Sequence, residues 1–574
     1  MTSMKLENNI LTVETPTQTA TFENGIITSL ISKMNGRKYI ETDASEVGVS
    51  ATWAGNETKR LDTGTVECRL LSDWRAEFVY HGWYGDGVTY IWTDDETGDI
   101  LIRPSAASGR PGMKSCNFSL RGIDKSLYAL TPSRQGVKLK LSDPLYCGTG
   151  RGGALENPGT VLQWPFTWEI GLIIFESGRK SRDGFWIHCR DNRYLPKSLA
   201  FGSAADPHRI ALISEACGPL DGNKSAGGVV WRVNVFEGGW RIPAKIYRDW
   251  YREAYHIEKE KAGRLPWPSD IKMAVIWAGT GTASLDAIAK KTDPSKVLIH
   301  MADWRNFKYD QDYPEYAPSA AAAKYIEYGT KLGFKIAPHM NSMDIDPSHP
   351  VYPMLSDFQM LDIDKKTACG WGIIEGRLVG VPWTEYAKTD PRNRPYNIMT
   401  KIHPGLSMWQ SELYGRIREI ADKHPIASCF TDVTLTTHNL HNALVEGRTA
   451  PEGMLDLLKL LGGIRGGFPL IGEGLNEITA QGLSFAMMHI FKHTMQNTPD
   501  MARCGGDCAL NDFIFGDLCK TIGYCWLSGE NEYEYLRRKI YDDHNTVPTI
   551  SISDPGAILN PNPFVKSVFD RANS

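Results

Sequence analysis

The sequence has no uninterrupted apolar run of about 18 residues, the length that a membrane-crossing helix needs. It has no basic block either. Lys and Arg total 63 against 67 Asp and Glu, for a net charge of -4, so nucleic acid and membrane are not expected partners. The GxxxxGK[ST] phosphate loop and the Gly-x-Ser-x-Gly nucleophile elbow are both missing. RGGALENPG at 151–159 is not placed between a strand and a helix as a dinucleotide fingerprint would be. No cofactor is therefore expected. The opening MTSMKLENNILTVETP lacks a basic segment followed by an apolar one. That reads as cytoplasmic, or as periplasmic or secreted if a signal peptide has been removed. The 11 cysteines are odd in number and scattered, which suits reduced thiols better than a disulfide framework. His489 and His493 share a helical spacing ahead of Cys504 and Cys508, with Cys519 and Cys525 beyond. However, CGGDC is not a C-x2-C knuckle and HIFKH lacks the HExxH glutamate, so no metal site is expected.

What is present points to carboxylate chemistry. IASCFTDVT, residues 426–434, is a short apolar run that ends on a lone acid, Asp432. FPLIGEGLNE, residues 468–477, is a second such run and ends on Glu473. A helical stretch, GMLDLLKLLGGIRGG, lies between them. Aromatics are plentiful, with 17 Trp and 23 Tyr, enough to fill a core and leave rings on which sugars can stack.

Residues 1 to about 240 read as β-rich. Alternating runs such as GVTYIWTD, DILIRP, DGFWIHCR and GVVWRVNVFE are separated by Gly, Asp and Asn, with turns at Asn24-Gly25 and Asn35-Gly36. That spacing predicts a large antiparallel sandwich. WRIPAKIYRDWYREAYHIEKEK, residues 240–261, has helical periodicity, with Ile242, Ile246, Trp250 and Tyr251 on one side. The Pro-rich GRLPWPSD follows, and the expected boundary is near residue 265: a β-sandwich domain at 1–265 including a linker helix, then a catalytic domain at 266–574.

Beyond the boundary, apolar strands alternate with helices. Strands are expected at 271–279, 296–304, 334–341, 426–434, 468–473 and 546–554, and helices at 319–333, 408–424, 453–467 and 478–493. Residues 495–545 give no clear assignment. Continuous apolar strands with polar C-terminal ends predict a (β/α)8 TIM barrel with its site at that face; a doubly wound open sheet is the alternative. Residues 342–407 are too long for an ordinary loop and carry Trp371, Trp383, Glu375 and Glu385. A long structured insertion of this kind reads as a wall of the site.

Hydrolysis of a glycosidic bond needs one ionised and one protonated carboxyl group, about 5–5.5 Å apart for retention and roughly 6.5–9.5 Å apart for inversion. Neighbouring strands lie about 4.8 Å apart, so Asp432 and Glu473 on consecutive strands favour retention. Asp432 could instead fix a loop, and Glu477 competes with Glu473 or caps the next helix. Asp303, in HMADWRN, is a candidate for sugar hydroxyls, with an ion pair to Arg305 or Lys308 as the plainer reading. His339 and Asn341 end the next strand and could reach the same ring. Trp304, Trp371 and Trp383 are candidate platforms.

The DW motif, PHMN, FTDVT and IGEG, in that order and after the WRIPAKIYRDWYREAY helix, resemble the endo-α-N-acetylgalactosaminidase group and its uncharacterised bacterial relatives. The resemblance implies a galactose mutarotase-like sandwich ahead of the barrel. It also implies a strand-four nucleophile at Asp432, a strand-five acid/base at Glu473 and sugar contacts at Asp303. The chain carries no extra lectin-like modules, so an exo-acting α-glycosidase fits equally well. The rival classes are a carbohydrate-binding protein without turnover, which would not need both carboxylates, and a polysaccharide lyase or sugar isomerase. The expected partner is an oligosaccharide or glycoside; a homo-oligomer is compatible with the sequence.

Overall fold

The computed structural model describes residues 2–61, 66–82, 84–141, 161–202, 209–374, 377–379, 397–488, 508–524 and 527–574 (for 373–374, 377–379, 397, 533 and 536, the backbone only). The chain divides into two compact units. One contains Met1–His256 with the described part of Lys492–Ile514; the other contains Ile257–Phe491 and Phe515–Ser574. No helix among the described residues is long and apolar enough to cross a membrane.

The first unit is built from antiparallel sheets of five, ten and six strands. Its hairpins follow from their turn residues. Asn24 (φ 49°) and Gly25 (φ 74°) are both left-handed and join Gln18–Glu23 to Ile26–Ser32, as a two-residue hairpin loop with right-handed strand twist requires. Strands expected from alternation appear at Gly85–Thr93, Ile100–Ser108, Gly184–His188 and Trp231–Phe236. Trp168, Trp186 and Trp231 are among the largest side chains in the core.

The helix Arg241–Ala254 turns a different face inward than the one expected. Pro243, Ala244, Tyr247 and Tyr251 are buried, while Ile242 and Ile246 are 48% and 42% exposed. The tyrosines carry more apolar area than the isoleucines. Tyr247 packs edge-on to both His188 and Trp250. Also in this unit, the buried Glu169 accepts hydrogen bonds from Gln135 N and Asn511 Nδ2, both at 2.7 Å. Burial pushes its carboxyl up to about 8.

The second unit is a nearly closed barrel of eight parallel strands: β1 Met273–Val275, β2 Val297–Met301, β3 Lys335–Asn341, β4 Cys429–Asp432, β5 Leu470–Glu473, β6 Phe485–Met487, β7 Lys520–Ile522 and β8 Thr549–Ile550. Each strand pairs with the next in sequence, and β8 pairs with β1. Between β7 and β8 the contact is a single bridge, Ile522↔Val547.

The intervening helices are closed by side-chain caps and a left-handed glycine. Ala320–Leu332 starts on the Ser319 hydroxyl, which accepts from Ala322 N, and ends at Gly333 in the left-handed conformation. Ala450–Gly462 starts on a Thr449–Glu452 capping box.

One expected helix is replaced. The sequence predicts a helix over 478–493, but among the described residues the helix is Thr479–Gly482, and Phe485–Met487 is strand β6. Phe485, Ala486, Met487 and Met488 are all buried, and a short, wholly apolar run carries no period that separates a buried strand from a helix. The insertion after β3 contains a small antiparallel sheet ordered Asp344–Ile345, Asn397–Lys401, Gly370–Ile374, Arg377–Val379.

Candidate active site

The strand ends of the barrel converge on a group of acids. Asp432 closes β4, directly across the ladder from Asn341 at the end of β3. Glu473 closes β5. The backbone locks the two strand ends together. The Thr434 hydroxyl donates to Glu473 O (3.0 Å) and accepts from Glu473 N (2.9 Å), and Val433 N donates to Glu473 Oε2 (3.2 Å). Gly472 permits this approach, since a Cβ there would lie 2.6 Å from Thr434 Oγ1. Val433 has φ 66°, a costly conformation for a β-branched residue. It is the conformation that points its N–H at the Glu473 carboxyl.

Only 13% of the Asp432 side chain is exposed, and Glu473 is buried. Burial holds the Asp432 carboxyl well above the usual carboxylate range. The charges of Glu473 and Asp344 and a hydrogen bond with Glu473 add to the effect, and Lys401 opposes it. Two neighbouring carboxyls cannot both ionise cheaply in a buried site.

His339 lies beside Asp432, with Nε2 3.5 Å from Oδ2. Its ring stacks on Phe430, and its Nδ1 is 3.1 Å from His300 Nε2. Burial, reinforced by the Arg305 charge, pushes His339 down to about 3, and burial lowers His300 as well. Both imidazoles are neutral.

Asp303 is exposed at the β2 end, and its charge acts on His339. Among the described residues it has no ion pair with Arg305 or Lys308. The Arg305 guanidinium instead donates to the carbonyls of Gln311 (2.8 Å), Glu315 (2.9 Å) and Lys308 (3.1 Å) and lies 4.1 Å from the centre of the Tyr313 ring. It staples the long loop after β2.

That loop delivers an acid missed by sequence reasoning. Asp310, in the left-handed conformation and 3% exposed, offers a carboxylate oxygen within 4.8 Å of ligand atoms on His339 and Asp432. Burial first, then the Asp432 charge, raises its carboxyl well above the usual range. The signal available in the sequence was KYDQDYPEY, residues 308–316, where acids alternate with tyrosines just past a strand end.

The insertion contributes a buried ion pair. Lys401 Nζ is 2.7 Å from Asp344 Oδ1, and Trp371 Nε1 donates to Asp344 Oδ2 at 2.7 Å. Trp371 is half-buried, as a stacking platform should be. Lys401→Met is expected to destabilise the fold by about 3–5 kcal/mol, because it leaves the Asp344 charge buried alone. Asp344→Asn combined with Lys401→Met recovers most of that loss; urea denaturation of the variants measures it.

Three expected contacts do not reach the site as sugar ligands. Trp304 is fully buried, donates to His339 O at 2.7 Å and stacks on Tyr316. It braces β3. The Asn341 side chain accepts from Met343 N and Asp344 N and so shapes the turn that carries Asp344. Asn476, not Glu477, caps the Thr479–Gly482 turn by accepting from Ile478 N and Thr479 N; Glu477 is buried. Trp383, Glu375, Glu385, His489, His493, Cys504 and Cys525 lie outside the described residues. Cys508 and Cys519 are buried and not in a disulfide.

A family model described as a domain of unknown function (DUF6259) matches residues 228–370. No curated protein sequence matches the chain. Among solved structures, the ligand-free α-N-acetylgalactosaminidase NagBb of Bifidobacterium bifidum aligns with a TM-score of 0.67 at 14% identity, over 97% of this chain and 92% of that one. Its GalNAc complex gives 0.63 at 12% identity, over 94% and 92%. The GH36 α-galactosidase AgaB of Geobacillus stearothermophilus gives 0.50 at 8%, over 100% and 85%. At these identities the likeness is one of fold.

Proposed function

We propose that the chain is a glycoside hydrolase that cleaves an α-glycosidic bond with retention of configuration, with Asp432 as nucleophile and Glu473 as acid/base. The observation that carries this reading is the buried Asp432–Glu473 pair on consecutive, paired strand ends, where each carboxyl feels the other's charge. Adjacent strand ends favour the shorter, retaining separation, since an inverting enzyme must fit a water between one carboxylate and the sugar. The names of the structural neighbours, an α-N-acetylgalactosaminidase and an α-galactosidase, agree with a sugar hydrolase of α specificity.

The steps follow from these assigned roles. Substrate binding leaves the proton of the pair on Glu473 and Asp432 ionised. The Asp432 carboxylate attacks the anomeric carbon as Glu473 protonates the departing oxygen, which leaves a glycosyl ester on Asp432. Glu473, now ionised, takes a proton from water, and the resulting hydroxide opens the ester from the opposite side. Two inversions give net retention. Asp303 and Trp371 bind and orient the ring. Trp383 remains a further candidate platform.

The test is to follow hydrolysis of an aryl α-glycoside by NMR from the first turnovers. The α anomer of the free sugar is expected to appear first and then mutarotate. A β anomer formed first overturns the assignment.

A further inference from the structure

Arg305 is a buried cation without a carboxylate of its own. It is 6% exposed, and among the described residues no acid forms an ion pair with it. A buried charge is costly unless hydrogen bonds and opposite charge surround it. Here the compensation comes from one loop. Nη1 donates to Gln311 O and Glu315 O, Nη2 donates to Lys308 O, and the guanidinium lies over the Tyr313 ring.

That loop closes on itself. Asn306 N donates to Ala317 O at 3.0 Å, Ser319 N donates to Trp304 O at 2.8 Å, and Arg305 and Pro318 form an antiparallel bridge. A compact loop whose ends meet and whose interior is filled by its own side chains is an Ω-loop, a form that often carries function. The guanidinium is part of that interior. Two of the carbonyls it binds flank one dipeptide: Lys308 immediately precedes Tyr309–Asp310, and Gln311 immediately follows. The Tyr309 ring lies 5.0 Å from the His339 ring and 5.3 Å from the Trp277 ring. The Asp310 carboxyl is the one that approaches Asp432.

Holding Asp310 there takes force. Burial, then the Asp432 and Asp344 charges, disfavour its ionised form, and Glu473 adds to them; Arg305 opposes them. Like charges push the loop outward, toward water that would solvate the acid. Arg305 resists with a positive charge and with charge-assisted bonds on both flanks of the dipeptide.

We propose that Arg305 is a positioning residue for the proposed cleavage: by binding the carbonyls on either side of Tyr309–Asp310, it fixes Asp310 as a buttress beside Asp432. This rests on the glycosidase reading. The buttress limits rotation of the Asp432 carboxyl away from its line of attack. A displacement of about 1 Å in a positioning element costs about 100-fold in rate.

The test is a double-mutant cycle on the full chain, with p-nitrophenyl α-galactoside and the matching N-acetylgalactosaminide as substrates. Arg305→Met keeps the apolar stem and is expected to lower kcat about 100-fold while KM changes less than about 3-fold. In an Asp310→Ala background the same substitution should lower kcat less than about 3-fold, because the group it positions is already gone. Arg305→Lys keeps the charge and three donors without the planar fork, and should lose less than about 10-fold. It takes the place of Arg305→Met in the cycle if thermal denaturation shows that the methionine variant does not fold. Losses that add across the cycle overturn the proposal, since a residue that only stabilises the fold acts independently of Asp310. Hydrogen exchange supplies an arm that needs no turnover. Amides 309–311 should exchange at least about 10-fold faster in Arg305→Met, with β3, β4 and β5 unchanged. Unaltered exchange over 309–311 overturns this proposal alone. A wild type that cleaves neither glycoside overturns the glycosidase reading, and exchange still decides whether Arg305 fixes the loop.

Discussion

Asp432→Asn is expected to lower kcat by about 10^4-fold or more, equivalent to roughly 5 kcal/mol of transition-state stabilisation. The amide keeps the shape of the side chain but cannot attack the anomeric carbon. The same change should make the protein more stable. Burial and the neighbouring Glu473 and Asp344 carboxylates strain the native carboxyl, and a neutral amide relieves that repulsion. An inactive, stabilised variant that still binds sugar separates loss of chemistry from loss of fold. It also separates an enzyme from a protein that only binds carbohydrate. Glu473→Gln should behave differently. Turnover of glycosides with poor leaving groups should collapse, while an activated dinitrophenyl glycoside should still transfer its sugar to Asp432. Water is then slow to release it, so intact mass spectrometry should show the chain heavier by one glycosyl unit. Equal loss on both substrates, with no adduct, would remove Glu473 from the acid/base role.

The second large effect belongs to the first unit. Glu169 is buried, and its carboxyl is pushed up to about 8 where an unfolded glutamate titrates near 4.5. Between those two pH values the native state holds a proton that the unfolded chain has released, so stability falls as pH rises through this window and levels off above it. At about 1.4 kcal/mol per unit, the loss between pH 5 and pH 8.5 is about 3–5 kcal/mol. Glu169→Gln keeps an acceptor for Gln135 N and Asn511 Nδ2 but has nothing to ionise. Urea denaturation at the two pH values should show the wild-type decline and a nearly flat variant. A decline of the same size in both places the effect elsewhere.

Much of the architecture was legible because local signals agreed with the fold. Ser319, Gly333 and the Thr449–Glu452 box mark helix ends by side-chain chemistry. Asp432 and Glu473 were visible because a lone acid at the end of an apolar strand breaks the burial pattern. The opposite half of the barrel was less legible. Strands β6 and β7 are three residues each, too short to display a period, and they owe their conformation to the flanking ladder. Asp310 was hidden for a different reason. Its position depends on how Arg305 gathers three carbonyls of a loop, which no spacing rule encodes. Lys401 meets Asp344 across 57 residues, and the sequence contains no trace of that pairing.

The left-handed Val433 has a mechanical consequence. Its N–H grips the Glu473 carboxyl from the peptide that follows Asp432, and Thr434 ties the Glu473 main chain in both directions. The two carboxyls proposed as proton donor and nucleophile are thus mounted on one bracket of three hydrogen bonds. On the proposed reading, a gap fixed in this way leaves discrimination among sugars to the loop after β2 and the insertion sheet.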